Sequence, residues 1–319
     1  MTRPSILCMW DLSFEPSVLN PLLDCADIVV VPPSQDALAA SLPNHDAYLA
    51  SLAVKLDRAT IESATRLKLV ATPSTGLDHL DLPALASRGI DLISLKTEFE
   101  LLDQVTATAE MAWALLLAAV RRIPAAAAAA SRGDWARDRF RGRQLAYKTL
   151  GIIGVGRLGS MVAEYGKAFR MRVLGCDRHP RKLVPGVEYV DLDTLLRESD
   201  VISLHIHATP DNVKLIDVAA FARMKPGVVL VNTSRGSIID ERELLKCLKS
   251  GKLAGAALDV IDGEWRDDLA SHPLVEWSRE HDNLVIVPHL GGVTFESQRM
   301  THEFVVDKVI DWVSLAASN

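Results

Sequence analysis

The sequence predicts an α/β fold of doubly wound parallel sheets, and three observations predict it. The 319 residues are many for one core and enough for two. Short aliphatic runs alternate with helix-forming segments along the chain, the rhythm of parallel strands with covering helices. A glycine-rich turn, Gly154-Val155-Gly156-Arg157-Leu158-Gly159, joins one such strand to one such helix.

In the first hundred residues the expected strands are Ile6–Trp10, Ile28–Val31, Lys68–Ala71 and Ile90–Leu95, rich in β-branched or aliphatic residues. Helices are expected around Ala37–Ala40 and over Asp81–Arg88, with Gly89 as the end of the latter. Thr108–Val120 reads as a buried helix. The alanine tract after Pro124 reads as a second helix, because alanine is the best helix former. From Thr149 the alternation restarts with strands Leu150–Val155, Arg172–Asp177, Val201–Ile206, Val228–Asn232, Ala256–Val260 and Leu284–Val287. Helices over Met161–Phe169, Leu192–Glu198 and Glu241–Lys249 separate some of them, and a last helix over Thr301–Leu315 closes the chain.

Composition narrows the function classes. The net charge is −6 with charges interspersed, and the densest basic run, Arg137 to Lys148, is broken by Asp138. That is not the footprint of a nucleic-acid binder. The apolar run Met111–Val120 is about half the length a membrane span needs, and Ile6–Trp10 is too short for a signal peptide. Four scattered cysteines without a Cys-x-x-Cys pair suit a reduced cytoplasmic protein with no metal site. Cys25 and Cys176 lie in apolar contexts and are expected in the core.

In the glycine turn, the three glycines allow a tight bend, close approach of a pyrophosphate, and helix-to-strand packing. The helix that follows offers free N–H groups and a partial positive charge to phosphates. Asp177, 23 residues after Gly154, stands where a carboxylate accepts the ribose hydroxyls of NAD and repels the 2′-phosphate of NADP. Arg178 beside it could meet that phosphate, so NAD is favoured without being exclusive. Three later residues, Arg235, Glu264 and His289, each follow the carboxyl end of an expected strand, where open α/β sheets place their ligand crevice. A guanidinium can hold a carboxylate and polarise the adjacent carbonyl. An imidazole can donate the proton, and a carboxylate can fix its tautomer and raise its basicity. Taken singly these could be a surface ion-pair partner, a solvated acid and a capping or core histidine; together, after a dinucleotide turn, they read as catalytic.

The segments GIIGVGRLG, NTSRG, LDVIDGE and VPHLGG, in this order, resemble the D-isomer-specific 2-hydroxyacid dehydrogenase family, in its phosphoglycerate dehydrogenase-like short form without a regulatory domain. TPSTGLDHLDL resembles that family's substrate-carboxylate loop, and TAEMAWALLLA its helix leading into the cofactor domain. The resemblance implies a Rossmann-type NAD domain, residues 104–289, inserted into a flavodoxin-like substrate-binding domain, residues 1–103 and 290–319, with the active site in the cleft. It implies that Arg235 binds substrate, that His289 is the acid/base with Glu264 as its partner, and that the amides around Ser74, Thr75 and Gly76 grip the substrate carboxylate. The cofactor set it implies comprises Gly154, Gly156, Arg157, Leu158, Gly159, Asp177, Arg178, His205, Thr209, Thr233, Asp259, His289 and Gly291. His205 and His207, taken from the residues alone, read as loop packing. It implies a homodimer through the cofactor domain, with Met111–Val120 and the alanine-rich segment as the seam. Two positions depart from the family: Trp265 stands where proline often follows the glutamate, and His207 where proline is also common. Both leave the triad intact and bear on the substrate pocket.

The expected activity is therefore NAD-dependent hydride transfer between a D-2-hydroxy acid and its 2-keto acid. Two alternatives remain on the same scaffold. One is oxidation of phosphite or formate, of which Glu264 beside His289 disfavours formate. The other is a non-catalytic, NAD-sensing corepressor-like protein, which would not need the complete triad.

Overall fold

The computed structural model describes residues 3–178 and 183–318, without the side chains of 316–318. The chain divides into two compact units, Met1–Val105 with Thr294–Asn319, and Thr106–Val293.

The first unit is built on five strands, β1 (Ser5–Cys8), β2 (Asp27–Val30), β3 (Ala47–Leu49), β4 (Leu69–Ala71) and β5 (Asp91–Ile93). All neighbours are parallel and the order is β2-β1-β3-β4-β5, the flavodoxin-like winding. The two-residue period of the strands divides the core between the sheet faces. Ile6, Cys8, Leu49 and Ala71 pack with Val305, Val306 and Val309 of the carboxyl-terminal helix. Leu7, Met9, Tyr48 and Val70 pack on the other face with Leu38, Ile61 and Leu85. Asp81 caps the Leu82–Ser87 helix by accepting the Ala84 N–H (2.9 Å), and Gly89 turns the chain out of it at φ +63°.

β3 escaped the sequence reading because Ala47–Leu49 is short and has no β-branched residue to mark it. The terminal helix is longer than expected, Phe295–Ser318. Its polar first turn is held by Thr294, whose Oγ1 accepts the Ser297 N–H (3.1 Å), so apolar patterning alone could not locate its start. Cys25 and Cys176 were expected in the core and are only partly buried; Cys8 and Cys247 are the buried pair. Cys25 ends a 3₁₀ turn and Cys176 ends a strand, so each lies at the margin of its core.

His302 of the terminal helix lies between Trp10 and Phe14, with ring centroids 4.7 and 4.8 Å away. Its Nδ1–H donates to the Gln298 carbonyl (2.7 Å). Burial pushes its pKa down to about 4, against the opposing bond to Gln298 and the charge of Asp11. The unfolded imidazole titrates near 6.5, so the unfolded state binds the extra proton between these values. Stability from His302 is therefore complete above about pH 6.5 and lost as pH falls toward 4. Urea titrations at pH 7 and pH 5 should show His302→Phe relieving about 2 kcal/mol of the acid-induced loss; an unchanged pH dependence contradicts this.

The second unit has seven strands, β6 (Thr149–Ile153), β7 (Arg172–Cys176), β8 (Val187–Tyr189), β9 (Val201–Leu204), β10 (Val228–Asn232), β11 (Leu253–Leu258) and β12 (Leu284–Ile286). The order is β12-β11-β10-β9-β6-β7-β8, parallel throughout. The winding reverses between β6 and β9, the Rossmann switch point. Ile153, Ile202, Leu204, Leu230 and Leu258 face one layer of helices. Leu150, Ile152, Val201, Val229 and Val231 face the Ala107–Arg121 helix, which buries Ala109, Ala112, Trp113, Leu116 and Val120 against them.

That helix is therefore committed to its own core. At Arg122 (φ +53°) the chain bends by 64° into the Ile123–Ala130 helix, which leaves Ile123 half exposed. No single helix among the described residues is long and apolar enough to cross a membrane.

Candidate active site

Because every strand of the second sheet is parallel, the segments leaving β6, β7, β9, β10, β11 and β12 emerge on one edge. The glycine turn leaves β6 there. Gly154 adopts φ +91°, and a Cβ would run into the carbonyl of His205 and the side chain of Ile206. A Cβ on Gly159 would overlap the carbonyl oxygen of Gly154, whereas one on Gly156 would meet no atom of the described residues within 4 Å. The first and third glycines are thus demanded by the chain itself. The second leaves room above the amino end of the Arg157–Ala168 helix, whose first amides have no side-chain cap. Arg157 and Leu158 sit half-buried on that first turn.

Asp177 follows β7, and one of its carboxylate oxygens accepts the Val155 N–H (2.8 Å), holding the turn from beneath. Arg178 beside it is exposed. His205, just past β9, is half-buried; its Nε2 and the Ser203 hydroxyl lie 2.8 Å apart, and desolvation pushes its pKa down to about 4. The imidazole is therefore neutral near pH 7, and it is the His205 backbone carbonyl that lies against Gly154. Thr209 is exposed and closes a capping box with Asn212, whose Oδ1 accepts its N–H (2.8 Å). His207 is exposed, and its carbonyl accepts the Asn212 amide (2.6 Å).

After β10 the chain makes a tight, bonded turn. Asn232, fully buried, accepts the Ser234 N–H (2.9 Å) and donates to the Arg235 carbonyl (2.9 Å). The Ser234 hydroxyl donates to the Leu204 carbonyl (2.8 Å) and accepts the Ile206 N–H (3.2 Å), fastening this turn to the one after β9. Arg235 is half-buried, with Nη1 on the Ser234 carbonyl (2.8 Å). The Thr233 hydroxyl is buried with no hydrogen-bond partner among the described residues. A buried hydroxyl is rarely left so, and together with the open space over Gly156 it fits a bound dinucleotide.

The loops after β11 and β12 meet directly. His289 Nδ1 lies 2.7 Å from Glu264 Oε1, both side chains less than one-fifth exposed. With the carboxylate accepting, Nδ1 carries its proton and Nε2 is the atom left to exchange one. His289 holds φ +54°, a left-handed conformation that costs a non-glycine residue about 1 kcal/mol. The neighbouring backbone enforces it. The His289 N–H donates to the Asp259 carbonyl (2.9 Å), and the Asp259 carboxylate accepts the amides of Leu290 (2.6 Å) and Gly291 (2.9 Å). Burial raises the Asp259 carboxyl above its ordinary range; those amides and the His289 ring oppose it. A Cβ on Gly291 would press on that carboxylate. Trp265, half exposed, stacks beside the His289 ring at 6.0 Å between centroids and 27° between planes.

The D-isomer specific 2-hydroxyacid dehydrogenase, NAD binding domain, matches residues 113–291, a span that contains the glycine turn, Arg235, Glu264 and His289. The chain belongs to this family. It is 36% identical over 281 residues to the D-3-phosphoglycerate dehydrogenase of Archaeoglobus fulgidus, covering 87% of this chain and 51% of that one. The chain thus spans about half the length of the phosphoglycerate dehydrogenases it matches. It is 35% identical to the glyoxylate reductase of Thermofilum pendens, covering 97% of this chain and 91% of that one. A D-lactate dehydrogenase from Aquifex aeolicus, solved with NAD and lactic acid, superposes with a TM-score of 0.84 at 29% identity, covering 97% and 95%.

Ser74, Thr75 and Gly76, expected from the resemblance to meet the substrate carboxylate, lie in the first unit just past β4, all half-buried. The Ser74 hydroxyl donates to the Gly76 carbonyl (2.9 Å) and lies 3.0 Å from the Thr72 hydroxyl. The supporting residues Asn232, Ser234 and Ser203 escaped the sequence reading. Asn232 and Ser234 lie inside the NTSRG segment, but the local bonds of the one and the bonds of the other to Leu204 and Ile206 have no sequence signature.

Proposed function

We propose that this chain is an NAD-dependent D-2-hydroxyacid dehydrogenase. The observation that carries the proposal is the Glu264–His289 pair, 2.7 Å apart on the same sheet edge as the glycine turn. A bound nicotinamide supplies or accepts the hydride at the substrate's second carbon. His289 does the proton work at Nε2, giving a proton to the carbonyl oxygen in reduction and taking one from the hydroxyl in oxidation. Glu264 keeps the Nδ1 proton in place and stabilises the imidazolium form. Arg235 holds the substrate by its carboxylate and polarises the carbonyl. We take the amides of Ser74, Thr75 and Gly76 as donors to a substrate carboxylate.

Gly154, Gly156 and Gly159, with the first turn at Arg157 and Leu158, hold the pyrophosphate. Asp177 takes the ribose hydroxyls, with Arg178 beside it. His205, Thr209, Thr233, Asp259, His289 and Gly291 complete the cofactor's surroundings. The carboxylate of Asp177 favours NAD over NADP. Asp177→Ala should narrow that preference by about tenfold or more, read as the ratio of kcat/KM for the two reduced cofactors. A ratio unmoved by the substitution removes Asp177 from cofactor selection.

Homodimerisation through the second unit fits the exposed apolar side chains of Ile123 and Trp135, the latter 82% exposed, rather than Met111–Val120, which packs inward. The four free cysteines suit a reducing compartment such as the cytoplasm. A panel of glyoxylate, hydroxypyruvate, pyruvate and bulkier 2-keto acids with NADH tests the activity. Oxidation of NADH with at least one of them is expected; NADH binding without turnover of any favours a sensor.

A further inference from the structure

A second imidazole–carboxylate pair stands behind the turn that carries Glu264. Glu241 opens the Glu241–Lys249 helix, and its Oε1 accepts the Asp262 N–H (2.8 Å) while Oε2 lies 3.2 Å from His272 Nε2. The two side chains are only 14% and 9% exposed. His272 Nδ1 accepts the Leu274 N–H (3.2 Å) at the start of the Pro273–Glu280 helix. Its proton therefore sits on Nε2 and points at Glu241. Burial and the charge of Arg266 hold His272 below its ordinary pKa, against Asp262 and Asp268. Burial pushes Glu241 up to about 7; Asp262, Glu264 and Asp240 add to the rise and the Asp262 amide opposes it.

The turn between these groups is gripped from both sides. Gly236, next to Arg235, packs so closely on Ile261 and Asp262 that a Cβ there would overlap their backbone. Glu241 holds the Asp262 amide. Glu264, two residues further on, reaches His289. A displacement of this turn would move the carboxylate that orients the imidazole.

We propose that Glu241 and His272 are a positioning pair that fixes the Ile261–Glu264 turn, and that the negative charge of Glu241 helps set the pH range in which His289 holds its proton. The proposal rests on reading His289 as the acid/base, but its test does not depend on turnover.

Histidine NMR on the full chain, titrated with pH, follows the His289 ring directly. A nearby negative charge favours the imidazolium, so Glu241→Gln should lower the His289 midpoint by roughly 0.3–1 pH unit. The high-pH limb of kcat/KM for keto-acid reduction should fall by the same amount. Glu241→Asp, which keeps the charge, should restore both midpoints. A purely structural role lowers the melting temperature and leaves both midpoints in place, and that result overturns the proposal. Should Glu241→Gln not fold, His272→Ala carries the test. Loss of the Nε2–H donor leaves Glu241 more protonated near pH 7 and moves the His289 midpoint the same way; an unmoved midpoint is again contrary. A shifted NMR midpoint in a protein that reduces no 2-keto acid would leave the pair standing and remove the proposed activity.

Discussion

His289→Asn should lower kcat for 2-keto-acid reduction by about 10²–10⁴-fold, the usual contribution of a positioned general acid. Dinucleotide affinity should stay within a factor of a few. Asparagine is the substitution of choice because it tolerates the left-handed backbone at this position, where alanine would add strain to the loss of the ring. The loop itself is held by Asp259 through Leu290 and Gly291, so the variant should keep its shape. His289→Ala and Arg235→Ala should likewise bind NADH and lose turnover on every accepted substrate. Glu264→Gln should cost less and shift the high-pH limb downward, since it removes the charge that favours the protonated ring. Stopped-flow or steady-state NADH oxidation, with NADH binding followed by fluorescence, separates these effects. Full turnover by the His289 variant would remove the residue from proton transfer.

The second large effect separates two glycines of the same turn. Gly159→Ala drives a Cβ into the Gly154 carbonyl oxygen, a backbone atom that cannot rotate away. The helix must shift off the strand, at a cost of about 3 kcal/mol or more, and dinucleotide binding should be lost along with stability. Gly156→Ala meets no atom of the described residues within 4 Å, so the protein should melt within a degree or two of the wild type. Its NADH affinity should nevertheless fall at least tenfold, because the added methyl stands where the pyrophosphate approaches. Calorimetric melting together with NADH titration of the two variants distinguishes a glycine kept for packing from one kept for ligand. Equal loss of melting temperature in both contradicts the assignment.

The glycine turn, Asp177 and the residues after β10, β11 and β12 were legible because each follows a strand whose aliphatic run is plain in the sequence. Their common edge was legible too, since parallel strands place all their carboxyl ends together. Short elements were not. Ala47–Leu49, without a β-branched residue, and Val187–Tyr189, broken by Glu188, are marked as strands only by their pairing to neighbours. Burial within one element was misjudged where a residue closes it, as with Cys25 and Cys176. The helix over Met111–Val120 announced its apolarity but not which surface would take it; the sheet of its own unit does. The support of the site was the least legible part. Ser234 and Glu241 act through bonds to backbone distant in sequence, Asn232 through bonds within its own turn, and His272 through the Glu241 carboxylate and the Leu274 N–H; nothing in their local sequence distinguishes such a bond from a solvated polar side chain. Asp259 was placed near the cofactor by resemblance, yet its described carboxylate bonds run to the loop that bears His289.

The central claim is that the Glu264–His289 edge of the second unit works as a D-specific 2-hydroxyacid dehydrogenase. The most direct test is oxidation of matched D- and L-2-hydroxy acids by the wild-type chain with NAD, followed by NADH absorbance. NADH should form from the D enantiomer, with none above background from the L enantiomer and none from either with His289→Asn. NADH formed equally from both enantiomers, or from D-hydroxy acid by the His289 variant, would contradict it.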